Sequence, residues 1–207
     1  MPNYCWNHVT ITGNKKELDK IYRKFNKYKN CNYFTAFGDF ILGKGKIDDD
    51  LDAIKARYGD DFDTVYVYGT RWWEFEISME TAKDPYLVIS GDSAWSPPIE
   101  LIRSVCEHFK VRAHIEYEES GCDFGGETFI EEDGSMDDKC YSYGEWRYIC
   151  DPDHHIEEDL REYYYEGGID ELDNDIKEGR LSYMDKEHIC ELIDLVRKDA
   201  EDIVIEK

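Results

Sequence analysis

The chain has 207 residues, with 48 acidic side chains against 25 basic ones, a formal net charge of −23, 41% hydrophobic content and 14% aromatic content. That apolar share is enough to build a core, which excludes wholesale disorder despite the charge; no apolar run reaches the length of about 18 residues that a transmembrane helix needs. Seven cysteines without a CxxC pair, behind an N-terminus with no basic region followed by an apolar one, predict reduced thiols and a cytoplasmic protein without a secretory signal.

In chain order, residues 8–12 read as a β-branched strand ended by Gly13. A helix follows, with Asn14 placed to cap it, Glu17 in capping-box position, and Leu18, Ile21, Tyr22 and Phe25 at helical spacing. Residues 30–64 read as an insertion in which Gly38, Gly43 and Gly45 are expected to interrupt any long element. Within it, residues 49–58 predict a short helix ending at Gly59; just after it, residues 64–68 predict a short strand. Trp73, Phe75, Ile77 and Met79 then alternate with Glu74, Glu76, Ser78 and Glu80, so this strand has one buried and one solvated face. A turn around Pro85 leads into the apolar run 86–90, a central strand, and the two make a hairpin. Ser96 as cap and Pro97 in the first helical position open a helix whose stripe is Ile99, Ile102, Val105, Cys106 and Phe109; a strand over 111–117 follows.

That order (strand, helix, insertion, strand, strand, helix, strand) predicts an α+β fold with a ferredoxin-like split βαβ core. Both helices should pack on one face of an antiparallel sheet, leaving the other face open or covered by later chain. The expected division is a core over 1–130, with the insertion at about 30–64, and an acidic strand-plus-helix extension over 131–207 packed on it. At the end of the core, residues 128–130 read as a strand, with 141–149 in the extension as its partner. Three helices follow: one marked by Ile156, Leu160 and Tyr163 or Tyr164, one by Ile169, Leu172 and Ile176 ending at Gly179, and one from about residue 185 with Ile189, Leu192, Ile193 and Val196 on its stripe.

Certain segments match a known pattern. Asn3-Tyr4-Cys5-Trp6-Asn7-His8-Val9-Thr10-Ile11-Thr12-Gly13 resembles the N-W-C-x-N-x-V-T-I-T-G opening of a phage and plasmid family carrying the YubB ferredoxin-like domain. Tyr68-Gly69-Thr70-Arg71-Trp72 resembles that family's W-G-T-K-W, Ala94-Trp95-Ser96-Pro97-Pro98 its T-x-W-S-P-P, and residues 121–126 its glycine-containing turn. Tyr4 and Tyr68 stand where the family has Trp, and the acidic tail after about residue 150 is outside the pattern. The resemblance implies a ferredoxin-like fold and a home on mobile elements; it implies no catalytic residues.

Charge is strongly segregated. Residues 1–60 carry 8 acids and 11 bases, residues 61–115 carry 9 and 5, and residues 116–207 carry 31 and 9. A solvated, solubilising surface is the plain reading of such a tail. The sharper reading is a surface that imitates duplex DNA, which carries about one negative charge per ~1.7 Å of axis. The clusters suited to it are Glu131, Glu132 and Asp133; Asp137 and Asp138; Glu157, Glu158 and Asp159; and Asp170, Glu171, Asp173 and Asp175. They predict a basic, nucleic-acid-handling host protein or nuclease complex as partner, in a non-enzymatic counter-defence role against CRISPR or restriction systems, with no membrane and no direct nucleic-acid partner. The alternatives are a nucleic-acid-binding sheet, a hidden enzyme, and a structural role in a virion. Trp72, Trp73 and Trp95 read as core aromatics; base stacking on the sheet is opposed by Glu74, Glu76 and Glu80. Cys140, Cys150, His154 and His155 lack the two close pairs of structural zinc, and the acidic stretch 170–179 lacks the calcium-loop glycine and glutamate, so no metal or other cofactor is predicted. Gly43-Lys44-Gly45-Lys46 is too short for a phosphate loop and reads as a basic turn.

Overall fold

The computed structural model describes residues 3–28, 31–81, 83–150, 168–182, 184, 189–190 and 193–194. They fall into two compact units, Met1–Tyr141 and Ser142–Lys207. In the first, the elements run β1 (Tyr4–Thr12), α1 (Lys15–Phe25), α2 (Phe34–Ile41), α3 (Leu51–Tyr58), α4 (Thr64–Tyr68), β2 (Trp73–Glu80), β3 (Tyr86–Ala94), α5 (Ile99–Phe109), β4 (Arg112–Glu119), β5 (Phe124–Ile130) and β6 (Met136–Tyr141). The strands form one sheet in the order β2-β3-β1-β4-β5-β6, with every neighbouring pair antiparallel. Its first four strands, with α1 and α5 as crossovers, are the ferredoxin-like split βαβ, and a β5–β6 hairpin extends the β4 edge.

Alternation in the sequence decides which face is covered. Val9 and Ile11 of β1, Leu87 and Ile89 of β3, and Ala113, Ile115 and Tyr117 of β4 lie in the core with Leu18, Ile21 and Phe25 of α1 and Leu101, Ile102 and Val105 of α5. Each Val, Leu, Ile or Phe among them is worth about 1.5–3 kcal/mol of burial. Asn14 caps α1, its Oδ1 accepting from the Lys16 N–H at 2.9 Å.

The insertion is more helical than its glycines suggest. Gly38 lies inside α2 because the Tyr68 ring rests on it: a Cβ there would sit 2.4 Å from the ring. Residues 64–68, expected as a strand, form α4, because Asp63 caps Val65 and Gly69 ends the turn in the left-handed region (φ +90°). One buried carboxylate joins the three insertion helices. Asp39, fully buried in α2, accepts from the hydroxyls of Tyr58 in α3 (2.5 Å) and Tyr68 in α4 (2.9 Å) and faces Arg57 Nε at 2.6 Å. Arg57 also donates to Asp49 at 2.5 Å.

Further differences concern ends. Ser96 does not cap α5, which begins at Ile99; its hydroxyl donates instead to the Gly69 carbonyl at 2.6 Å. The partner of β5 is residues 136–141 rather than 141–149, because Gly134 (φ +81°) closes the hairpin early and residues 143–150 turn helical. The first unit accordingly runs through β6, to residue 141 rather than 130. In the second unit, α6 (Tyr143–Cys150) and α7 (Gly168–Glu178) are present, and Leu172, Leu181 and Met184 form a small core with Tyr148, Ile176, Ile189 and Ile193. The end of α7 at Gly179 (φ +74°) is as expected. The helix expected around 156–165 and most of the one from 185 lie outside the described residues.

Candidate functional site

The face of the sheet away from α1 and α5 has a definite chemistry, set by register. From β2 to β6 one line across the strands reads Glu74, Asp92, Trp6, Glu118, Gly125, Tyr141. The next reads Glu76, Ser90, His8, Glu116, Glu127, Lys139, and the third Ser78, Val88, Thr10, His114, Phe129, Asp137. A fourth, over β2 to β4, is Glu80, Tyr86, Thr12, Arg112. Eight carboxylates thus share this face with two permanent cations, and both cations are engaged: Arg112 with Glu131 (2.8 Å) and Glu132 (3.8 Å), Lys139 with Glu127 (3.1 Å). Burial alone would raise the pKa of Glu127, but hydrogen bonds from Lys139 and His114 outweigh it and hold the carboxyl below its usual range.

Two of these carboxylate pairs lie directly opposite across strands, Glu74 with Asp92 and Glu116 with Glu127. Like charges so placed destabilise a sheet. Aromatic rings stand between the acids: Trp6 is 42% exposed and stacks on His8, Phe129 is 41% exposed and stacks on His114 at 4.2 Å, and Tyr4 meets Trp72 edge to face. Such rings supply rigid contact area at low entropic cost.

The expected partner-binding acids are distributed differently. Glu131 and Glu132 sit at the β5–β6 hairpin beside Arg112, and Asp133 accepts from the N–H and hydroxyl of Ser135, closing that turn. Asp137 points to the open face, whereas Asp138 points the other way and accepts from Thr128 (2.6 Å) and Tyr117 (3.0 Å). Burial and then the Asp138 charge push the Tyr117 hydroxyl well above its usual pKa. Asp170, Glu171, Asp173 and Asp175 lie on α7, where Asp175 pairs with Arg180. Glu157, Glu158 and Asp159 lie outside the described residues. The sequence showed the carboxylates of β2; those of β3, β4 and β5 were missed, although Arg112, His114, Glu116 and Glu118 alternate with Ala113, Ile115 and Tyr117 as plainly as β2 does.

The motif segments meet at the end of the sheet where β1 starts. The buried Asn7 donates to Cys5 O (2.5 Å) and Ser93 Oγ (3.0 Å), Ser93 donates to Ser96 O (2.8 Å), and Thr70 to Ala94 O (2.8 Å). Asn3 O receives the Trp95 N–H, and Asn3 Nδ2 donates to Cys122 Sγ at 3.3 Å. These residues hold the loops together, so their spacing has a structural cause. Of the tryptophans expected in the core, Trp73 is fully buried, but Trp95 is 46% exposed with φ +67°. Burial lifts the Cys5 thiol to about 12, which disqualifies it as a nucleophile near neutrality. Among the described residues no group of three His, Cys, Asp or Glu side chains is placed to hold a metal, and no helix is long and apolar enough to cross a membrane.

Three comparisons with known proteins bear on the chain. A search of curated proteins found no match. Among solved structures, the crystal structure of a protein api92 from Yersinia pseudotuberculosis is similar at 12% identity, with 69% of this chain and 99% of that one covered and a TM-score of 0.40. Residues 74–166 match the family model described as the ferredoxin-like domain in Api92-like protein, a span that starts at β2 and continues past α6. Over that span, somewhat under half of its length, the chain is similar to the ferredoxin-like domain in Api92-like protein.

Proposed function

We propose that this is an accessory protein of a phage or plasmid that binds a basic, nucleic-acid-handling host protein through an acidic surface. A nucleic-acid-mimic inhibitor of a defence nuclease complex is the concrete form. The observation that supports it is the open sheet face, where carboxylates oppose carboxylates across strands and aromatic rings stand between them. Glu127 is already compensated by Lys139 and His114, but Glu74 opposite Asp92 has no such cation among the described residues, and a cationic partner would relieve the repulsion between them. The acids at 131–133 and 137–138, and those at 157–159 and 170–175 in the second unit, are proposed as further contacts for that partner. The protein acts here without catalysis.

A second reading has its own observation. Trp6 and Phe129 are exposed on the sheet, as base-stacking rings are in ferredoxin-like RNA-binding modules. The surrounding acids oppose it, since phosphates gain affinity from cations. Reversing Glu74, Glu76 and Glu116 to Lys in one variant, and Glu157, Glu158 and Asp159 in another, tests both. Loss of a basic host protein from the first variant supports the proposal. Retardation of single-stranded oligonucleotide by the unaltered protein supports the second reading. Capture that neither variant changes refutes the acidic surface.

A further inference from the structure

Where α2 and α5 end, the first unit gathers lysines. Between the end of α2 and the end of α5 lies a cavity of about 400 Å³ lined by Leu42, Lys44, Ser104, Glu107, His108 and Lys110. Its floor is the buried Leu42, and its rim is polar. Lys44 follows Gly43, whose positive φ (+72°) turns the chain out of α2. Lys110 is the left-handed C-cap of α5 (φ +54°), so the backbone of a turn fixes its position too. Behind them Lys24 is anchored, its Nζ donating to Phe40 O (2.9 Å) and Ile41 O (2.7 Å), 6.0 Å from the Phe109 ring centre.

Lys24 and Lys44 form no ion pair with any carboxylate among the described residues, and Lys110 Nζ reaches only the Glu132 carbonyl oxygen, at 3.4 Å, in a chain with nearly two acids for each base. A surplus of carboxylates could neutralise a lysine cheaply on a surface. A hydroxyl, an imidazole and two ammonium groups at one hollow are a donor set that outnumbers its single carboxylate, Glu107, and 400 Å³ lies in the usual range for small-molecule sites. We infer that this cavity binds a phosphate-bearing ligand, with Lys44 and Lys110 on the phosphate oxygens and Ser104 and His108 as further donors. His108 fits the same picture: burial, then Lys24 and Lys44, hold its pKa below the usual value, against Glu17 of α1, while Glu107 and Lys110 also line the hollow. A bound phosphate adds a negative neighbour and shifts that balance upward.

The test is titration of the full chain with pyrophosphate and adenosine monophosphate, read by calorimetry and by the His108 ring resonances. A 5′-phosphorylated oligonucleotide and its unphosphorylated twin form a separate arm. Lys44→Gln and Lys110→Asn remove the charges, the second with a residue that tolerates left-handed backbone; Lys55→Gln, which alters a lysine facing Asp60, is the control. Binding should weaken about tenfold for each of the two cavity lysines lost and hold for the control. The His108 pKa should rise on saturation with pyrophosphate. Binding of the free phosphates identifies a small-molecule site; binding of only the phosphorylated oligonucleotide identifies the same cavity as a terminal-phosphate site. Absence of any His108 shift with all four probes overturns the inference, as does binding that survives both substitutions unchanged.

Discussion

Asp39 offers a test of how the insertion is held on the core. The carboxylate is fully buried in α2 and has three partners on two other helices, the Tyr58 and Tyr68 hydroxyls and Arg57. Asp39→Ala would strand the buried Tyr68 hydroxyl and leave Arg57 facing an emptied site. Breaking a buried ion pair by removing one member costs about 3–5 kcal/mol. Arg57 keeps its contact with Asp49 and remains 27% exposed, so the loss should fall near the low end, about 3 kcal/mol. Tyr68→Phe removes one hydroxyl from a carboxylate that still has two partners, a cost of about 1 kcal/mol. Asp39→Asn keeps the shape and loses the charge, and should lie between the two. Urea unfolding followed by intrinsic fluorescence gives the three values. Near equality of Asp39→Ala and Tyr68→Phe, or a loss below about 1 kcal/mol for Asp39→Ala, would refute the view that this carboxylate ties α2, α3 and α4 together.

Three other outcomes are expected. Gly91→Ala should disrupt the β2–β3 pairing, because a Cβ at 91 would lie 2.0 Å from the Glu74 carbonyl oxygen; a melting temperature within about 2 °C of the parent would contradict this. In acid, Glu127 should contribute stability above its unfolded pKa and lose it as pH falls through its depressed folded pKa, so Glu127→Gln should flatten the stability–pH curve between about pH 5 and the acid limit. With an alkylating reagent near pH 8, the exposed Cys140 should react in the native state; Cys5 and Cys106, lifted by burial to about 12, should react only on unfolding, as peptide mass spectrometry would show.

The sheet was legible wherever one face is buried and one is wet, since a period of two then appears in the residues themselves: β2 was read to its exact ends from Trp73, Phe75, Ile77 and Met79. The insertion was not, because its helices depend on contacts distant in sequence. Gly38 reads as a breaker until Tyr68 is seen to occupy the place of its side chain, and Val65-Tyr66-Val67 reads as strand until Asp63 and Gly69 are seen to cap one turn of helix. The open face was half legible. Each strand shows its own acids, but only register shows that Glu74 meets Asp92 and Glu116 meets Glu127. The basic cavity was hidden for the same reason: Lys44 and Lys110 are 66 positions apart and meet only because α2 and α5 end together.

The most direct test of the acidic surface is the affinity of the purified protein for the basic host partner it captures, measured at about 0.05 M and 0.5 M salt with and without reversal of Glu74, Glu76 and Glu116. Affinity should fall steeply with salt for the unaltered protein and should already be lost in the reversed one at low salt. Equal affinity for both proteins at both salt concentrations would show that the carboxylates of the sheet take no part.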